Sequence, residues 1–123
     1  MSYTACIQPM ETYLKVTVSG TMECLEDLAD FADLLRKLSD EYSLKWALLD
    51  ERNLRKHLDI LDVYNLAEAD ITADAAARGV RMACLPHPED LEFARNMETI
   101  MHNRSISYRV FTDPDTAKAW LTR

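Results

Sequence analysis

The polar residues best suited to chemistry crowd into one short stretch, Asp50, Arg52, Arg55, Lys56 and His57, with His87 and Asp113 further along. A carboxylate near an imidazole can act as a general acid/base pair or help hold a metal, because imidazole titrates near neutrality. Arg52, Arg55, Lys56 and His57 also form the one basic island of an acidic chain. They precede a predicted helix, whose first N–H groups attract anions. An anionic ligand or an acidic partner loop could dock there. A solvated loop balancing Asp59 and Asp62 accounts for the same residues without any ligand. No ligand-spacing motif such as HExxH accompanies the histidines. The residues are therefore read as a partner- or ligand-binding set, with no catalytic and no metal-ligating assignment.

Composition removes several other chemistries. Lysine plus arginine number 14 against 21 acids, a net charge of −7, which is the wrong sign for a phosphate-backbone binder, so no nucleic acid is expected. Gly20 and Gly79 are the only glycines, too few for a nucleotide-cradling loop, and no cofactor is implied. Cys6, Cys24 and Cys84 are odd in number and lack a CxxC, which fits a reducing compartment better than a disulfide or zinc framework. No apolar run approaches the roughly 20 residues of a membrane span, and no basic segment followed by an apolar one opens the chain. A cytoplasmic protein without stable membrane insertion is expected. With 123 residues, 48% of them apolar, one core and a single domain over residues 1–123 are expected.

Two further features bear on binding. Glu23, Glu26, Asp27, Asp30 and Asp33 run without a base between them, and like charges at i, i+4 cost a few tenths of a kcal/mol per pair. Either a basic partner or simple dipole stabilisation and solubility explains such a face. Met82, Met97 and Met101 could line an adaptable apolar pocket, although core packing is the commoner explanation. Cys84, in mid-strand, should be buried and inert.

The elements that position these residues follow from periodicity. Leu14, Val16 and Val18 alternate with polar neighbours as in a half-buried strand, and Tyr3 to Gln8 forms its hairpin partner across a break at Pro9 to Glu11. Leu28, Phe31, Ala32, Leu35 and Leu38 carry helical spacing, with Thr21 as the expected N-cap. Trp46 to Leu49 reads as a central strand ending at Asp50. Asp59 to Arg78 reads as mostly helix, with Ile60, Val63, Tyr64, Ala67 and Ile71 on its buried stripe, a break near Thr72 and Gly79 as C-cap. Val80 to Leu85 is a strand, and Pro88 opens a helix bearing Phe93, Met97, Ile100 and Met101. Ser107 to Phe111 is the last strand, and Asp113-Pro114 opens a closing helix. The order ββαβαβαβα predicts an α/β domain with a mixed, mostly parallel five-strand sheet and helices packed on it.

This order, with the tail Phe93, Glu98, Asn103-Arg104, Tyr108-Arg109-Val110-Phe111, Ala117 and Trp120-Leu121, resembles the SpoIIAA-like proteins. These are small bacterial α/β domains related to STAS anti-sigma-factor antagonists and likened to CRAL-TRIO lipid carriers. STAS antagonists switch partners by phosphorylation of a serine, in an Asp-Ser motif, at the start of the helix after the third strand. If Asp59 matches that aspartate, Ile60 stands in the serine's place, and no Ser or Thr occurs from Asp50 to Ile71. The resemblance thus implies a non-catalytic, partner-binding regulatory protein without the phosphoserine switch. The alternative is a carrier holding a small apolar or anionic ligand between the sheet and the helix from Phe93 to Arg104. A symmetric homodimer is the default for a small bacterial protein.

Overall fold

The computed structural model describes residues 2–123. Strands β1 (Tyr3–Pro9) and β2 (Leu14–Met22) form the expected antiparallel hairpin, closed where the Met10 N–H donates to the Tyr13 carbonyl at 2.8 Å. Helix α1 (Leu25–Tyr42) then crosses to β3 (Trp46–Lys56), and helices α2 (Ile60–Ala67) and α3 (Asp70–Arg78) cross to β4 (Arg81–Pro86). A single 3-10 turn at Pro88–Asp90 leads into α4 (Leu91–His102), followed by β5 (Ser107–Val110) and α5 (Pro114–Thr122). The strands lie side by side in chain order, β2 to β5 mutually parallel. Parallel crossovers between adjacent strands keep one hand, so successive helices fall on one face of the sheet. Helices α1 to α4 accordingly pack with one another over the larger core, around Val16, Val18, Phe31, Leu49, Leu54 and Met97. Helix α5 alone covers the other face, burying Leu48, Ala83, Leu85, Ala117 and Leu121. Arg81 fastens it, its guanidinium 4.7 Å from the Trp46 ring centre and 5.5 Å from that of Trp120.

Five local expectations are corrected. Strand β3 does not end at Asp50 but runs to Lys56, so the basic island lies on a strand and not in a loop. The strand continues because β2 also runs on, to Met22, and pairs with it to the end. Thr21 is therefore a strand residue, and Cys24 occupies the N-cap of α1. The helical stretch breaks at Glu68 and Ala69 and not near Thr72, because the buried Thr72 hydroxyl donates at 2.6 Å to the Leu66 carbonyl, satisfying a helix-end group across the turn. With α2 ending so soon, its buried row is Val63, Leu66 and Ala67, and Tyr64 turns outward. Pro88 opens the 3-10 turn, and α4 proper begins at Leu91. Gly79 at φ 71° and the Asp113 carboxylate, which accepts from the Thr116 N–H at 2.9 Å, cap as expected.

One irregularity in β3 decides which residues face the core. From Asp50 to Asn53 the strand takes three steps where β2, from Thr17 to Ser19, takes two. This is a β-bulge, and one extra residue inverts the inside-outside alternation. Before it, Ala47, Leu49 and Glu51 face the larger core; after it, Leu54 and Lys56 do. Without the bulge Glu51 and Lys56, five residues apart, would face opposite sides.

Candidate functional site

The bulge brings Glu51 and Lys56 together inside the fold. Lys56 Nζ lies 2.6 Å from Glu51 Oε1, with Glu51 2% and Lys56 9% exposed. The Cys84 thiol donates to the same carboxylate oxygen at 3.4 Å. Burial alone would depress the Lys56 pKa, but the adjoining Glu51 carboxylate outweighs it and holds the ammonium above its ordinary value. Burial, then the Glu51 charge, pushes the Cys84 thiol well above the usual range, so the inert cysteine expected in mid-strand is found. Tyr108 on β5 stands beside Cys84, and burial likewise raises its pKa, keeping the phenol neutral. Its hydroxyl is shut from solvent beside that thiol.

The rest of the expected basic island is already neutralised. Arg52 grips Asp50 through two bonds, Nε to Oδ1 at 2.9 Å and Nη2 to Oδ2 at 2.8 Å, and this holds the Asp50 carboxyl below its ordinary pKa. Arg55 donates to Asp90 at 3.2 Å and 3.4 Å and pairs with Glu89 at 2.9 Å. Asp90 also accepts from the Lys56 N–H at 3.0 Å, tying the turn before α4 to the end of β3. The structure thus places Arg52, Arg55 and Lys56 near one another, but each faces its own carboxylate. His57 is exposed, its N–H donating to the Met22 carbonyl at 2.9 Å. His87 caps the 3-10 turn, Nδ1 accepting from the Glu89 N–H at 3.0 Å. Neither histidine hydrogen-bonds Asp50 or the other, and among the described residues no group of three or more His, Cys, Asp and Glu is arranged to hold a metal.

Because the buried Asp90 serves both a guanidinium and a buried backbone N–H, removing it should be costly. Asp90→Ala is expected to lower stability by about 2 kcal/mol and Asp90→Asn by about half as much, since the amide oxygen can still accept one bond. Urea denaturation of the three proteins checks the order.

Two further features lie on either side of this cluster, of which the exposed apolar pair is the one sequence reasoning missed. Outside, α2 begins with a capping box: the Asp59 side chain accepts from the Leu61 N–H at 3.0 Å, and Asp62 reaches back to the Asp59 N–H. Its outer face shows Leu61, 62% exposed, and Tyr64, 51% exposed, one turn apart. Among the described residues only Met10 and Tyr42 are other large apolar side chains so exposed. Inside, a cavity of about 120 Å³ lies between the sheet and helices α1 to α4, walled mainly by apolar side chains, with Glu51, Lys56 and Tyr108 at one part of its lining. The out-of-phase Leu54 is the signal that could have exposed the bulge, and Met82, Met97 and Met101, which the sequence offers as pocket lining, are among the residues around the cavity.

Comparison with protein-family models and with curated proteins yields no match. Solved structures do match over nearly the whole chain. An anti-sigma factor antagonist from Mycobacterium paratuberculosis superposes with a TM-score of 0.61 at 12% identity, covering 99% of this chain and 96% of that one. An uncharacterized DUF3478-family protein with a SpoIIAA-like fold from Shewanella loihica PV-4 gives 0.54 at 20% identity, covering 98% and 94%. No helix among the described residues is long and apolar enough to cross a membrane. The five strands in their order, the lone helix on the far face and these two likenesses agree: the chain has the SpoIIAA-like, STAS-like α/β fold.

Proposed function

We propose that the protein is a non-catalytic regulatory module that binds a protein partner through the outer face of α2 and the adjoining end of β3. The observation that carries this reading is the pair Leu61 and Tyr64, exposed one turn apart. An exposed aromatic and leucine side by side supply the kind of anchor around which interfaces are built. Asp59 and Asp62 on the same helix give the patch an acidic rim, and the chain carries −7 overall, so the partner is a protein surface with an apolar contact point and basic residues around it. Asp50, Arg52, Arg55, Lys56 and His87 support this face through their own ion pairs and hydrogen bonds, and the exposed His57 is free to touch the partner.

The likeness to an anti-sigma factor antagonist supports a protein as the partner. Regulation at this helix does not run through a phosphoserine. Asp59 is the N-cap and Ile60 the first helical residue, so the first turn carries a fixed carboxylate and no hydroxyl to modify. A carrier function is the second reading, favoured by the cavity under α1 to α4.

Leu61→Glu/Tyr64→Glu should leave the melting temperature within a few degrees of the parent, since both side chains are exposed, and should abolish retention of one defined protein from a lysate of the native host. Lys118→Glu on α5 should retain it. Equal retention by all three proteins would contradict the reading.

A further inference from the structure

We infer that the cavity beneath α1 to α4 receives the apolar body, about six carbons in size, of a small monocarboxylate whose charged end pairs with the Lys45 ammonium at the surface. The inference deepens the carrier reading and rests on it.

Charge selects the end of the guest that stays outside. The lining has two polar parts, and only one keeps a free charge. Deep in it, Glu51 and Lys56 are bound to each other at 2.6 Å and offer a guest no counter-ion. The other part, where β3 and β4 begin, gathers Arg36, Ser39, Lys45, Asp74 and Arg78. Arg36 pairs with Asp33 at 2.8 Å, and Arg78 joins α3 to α1 by pairing with Asp74 at 2.9 Å and with Asp40. Lys45 is the one cation of the lining without an ion pair among the described residues. Its backbone is fixed, the carbonyl accepting from the Arg81 N–H at 3.1 Å, and the residue is exposed. A second hollow, lined by Ser39, Asp40, Ser43, Lys45 and Arg78, shares three residues with the first, so the lining passes from the cavity to the surface at Lys45. A carboxylate placed there gains a charge-assisted hydrogen bond and keeps part of its hydration, whereas one pushed inward would lose its water for nothing. One free cation in a chain of net charge −7 suits a single negative charge and not a polyanion.

Size selects the part that enters. The cavity measures about 120 Å³. An engineered cavity of about 150 Å³ lined by Leu, Ile and Phe admits benzene, so this one suits a ring or a six-carbon chain and not the tail of a long-chain lipid. The walls include Leu14, Phe31, Leu49, Leu66, Met97 and Met101, and methionines adapt to irregular apolar shapes.

The test uses the full chain with methionine methyls labelled with carbon-13, titrated at low ionic strength with hexanoate, 1-hexanol and hexylammonium. Hexanoate is expected to shift the Met82, Met97 and Met101 methyls while Met10, outside the lining, stays fixed. It should bind roughly fivefold tighter than 1-hexanol, the most that one exposed ion pair supplies, and tighter still than hexylammonium. Sodium chloride at about 0.5 M should erase the advantage. Lys45→Gln, at an exposed position, should fold as the parent does, bind 1-hexanol equally and lose the preference for hexanoate. No methyl shift with either hexanoate or 1-hexanol would sink the carrier reading and the inference with it. If 1-hexanol binds but hexanoate binds no tighter, or the preference survives in Lys45→Gln, the carrier reading stands and the inference alone is overturned. Hexylammonium binding as tightly as hexanoate would overturn it in the same way.

Discussion

Glu51→Ala is expected to destabilise the protein by roughly 3–5 kcal/mol, among the largest effects any single substitution in the chain should have. The reason is the charge left behind. Lys56 is fully enclosed and Glu51 is its only ion-pair partner among the described residues, so the variant strands an ammonium in an apolar interior. The pair itself need not be a source of stability: both charges were taken out of water to form it, and a well-packed apolar pair often does as well. Glu51→Leu/Lys56→Met should therefore recover most of the loss, or all of it. The pH dependence follows from the raised Lys56 pKa. A cation whose folded value exceeds its unfolded one contributes stability that is fully present below the unfolded value, near 10.5, and is lost as pH rises through the higher folded value. The parent should thus weaken above about pH 10.5 by more than the double variant does, in urea denaturations at stepped pH.

Gly20→Ala is expected to cost about 2–4 kcal/mol, against about 1 kcal/mol for Gly79→Ala, although both glycines have positive φ. Gly20, at φ 106°, faces the start of β1 so closely that an added Cβ would stand 2.3 Å from the Ser2 carbonyl oxygen and 2.8 Å from the Tyr3 Cα. The Tyr3 Cα belongs to a paired strand, and the Ser2 carbonyl is held by the Thr21 N–H donating to it at 2.8 Å, so neither can swing aside. At Gly79, φ 71°, an added Cβ meets nothing within 4 Å, and only the backbone strain remains. Thermal unfolding of the two variants separates a collision from a conformational preference. Equal losses would show that the hairpin start relaxes freely.

What sequence periodicity can and cannot convey is plain from β3. Trp46 to Leu49 is an unbroken apolar run and was read as a buried strand, as it is. The charged residues after it looked like a loop because burying Glu51 or Lys56 alone is prohibitive, and only a partner brought round by the bulge makes it tolerable. Pairing across space has no one-dimensional signature. The same holds for Asp90, which caps nothing in its own helix but serves Arg55 and Lys56 from 35 and 34 residues away. The helical spacing of Ile60, Val63, Tyr64, Ala67 and Ile71 puts Tyr64 on a buried stripe, but the short α2 packs through Val63, Leu66 and Ala67 and leaves Tyr64 in solvent. By contrast, the stripe of α1, the hairpin and the stripe and cap of α5 are legible because they are local, whereas the start of α1 moves from Thr21 to Cys24 with the extension of β2. Of the expected site residues, the chain brings Arg52, Arg55 and Lys56 to one end of the sheet, but their charges are consumed by Asp50, Asp90 and Glu51. In the function proposed above, the exposed apolar pair on α2 makes the contact and these charges hold the end of the sheet behind it.

The central claim, that α2 presents the partner surface, is tested most directly by site-specific photocrosslinking in living cells, with a photoreactive amino acid at position 61, 64 or 118. The account predicts one discrete adduct from positions 61 and 64, containing the same basic-surfaced protein in both cases, and none from position 118 on α5. Adducts of equal yield and identity from all three positions, or none from positions 61 and 64, would contradict it.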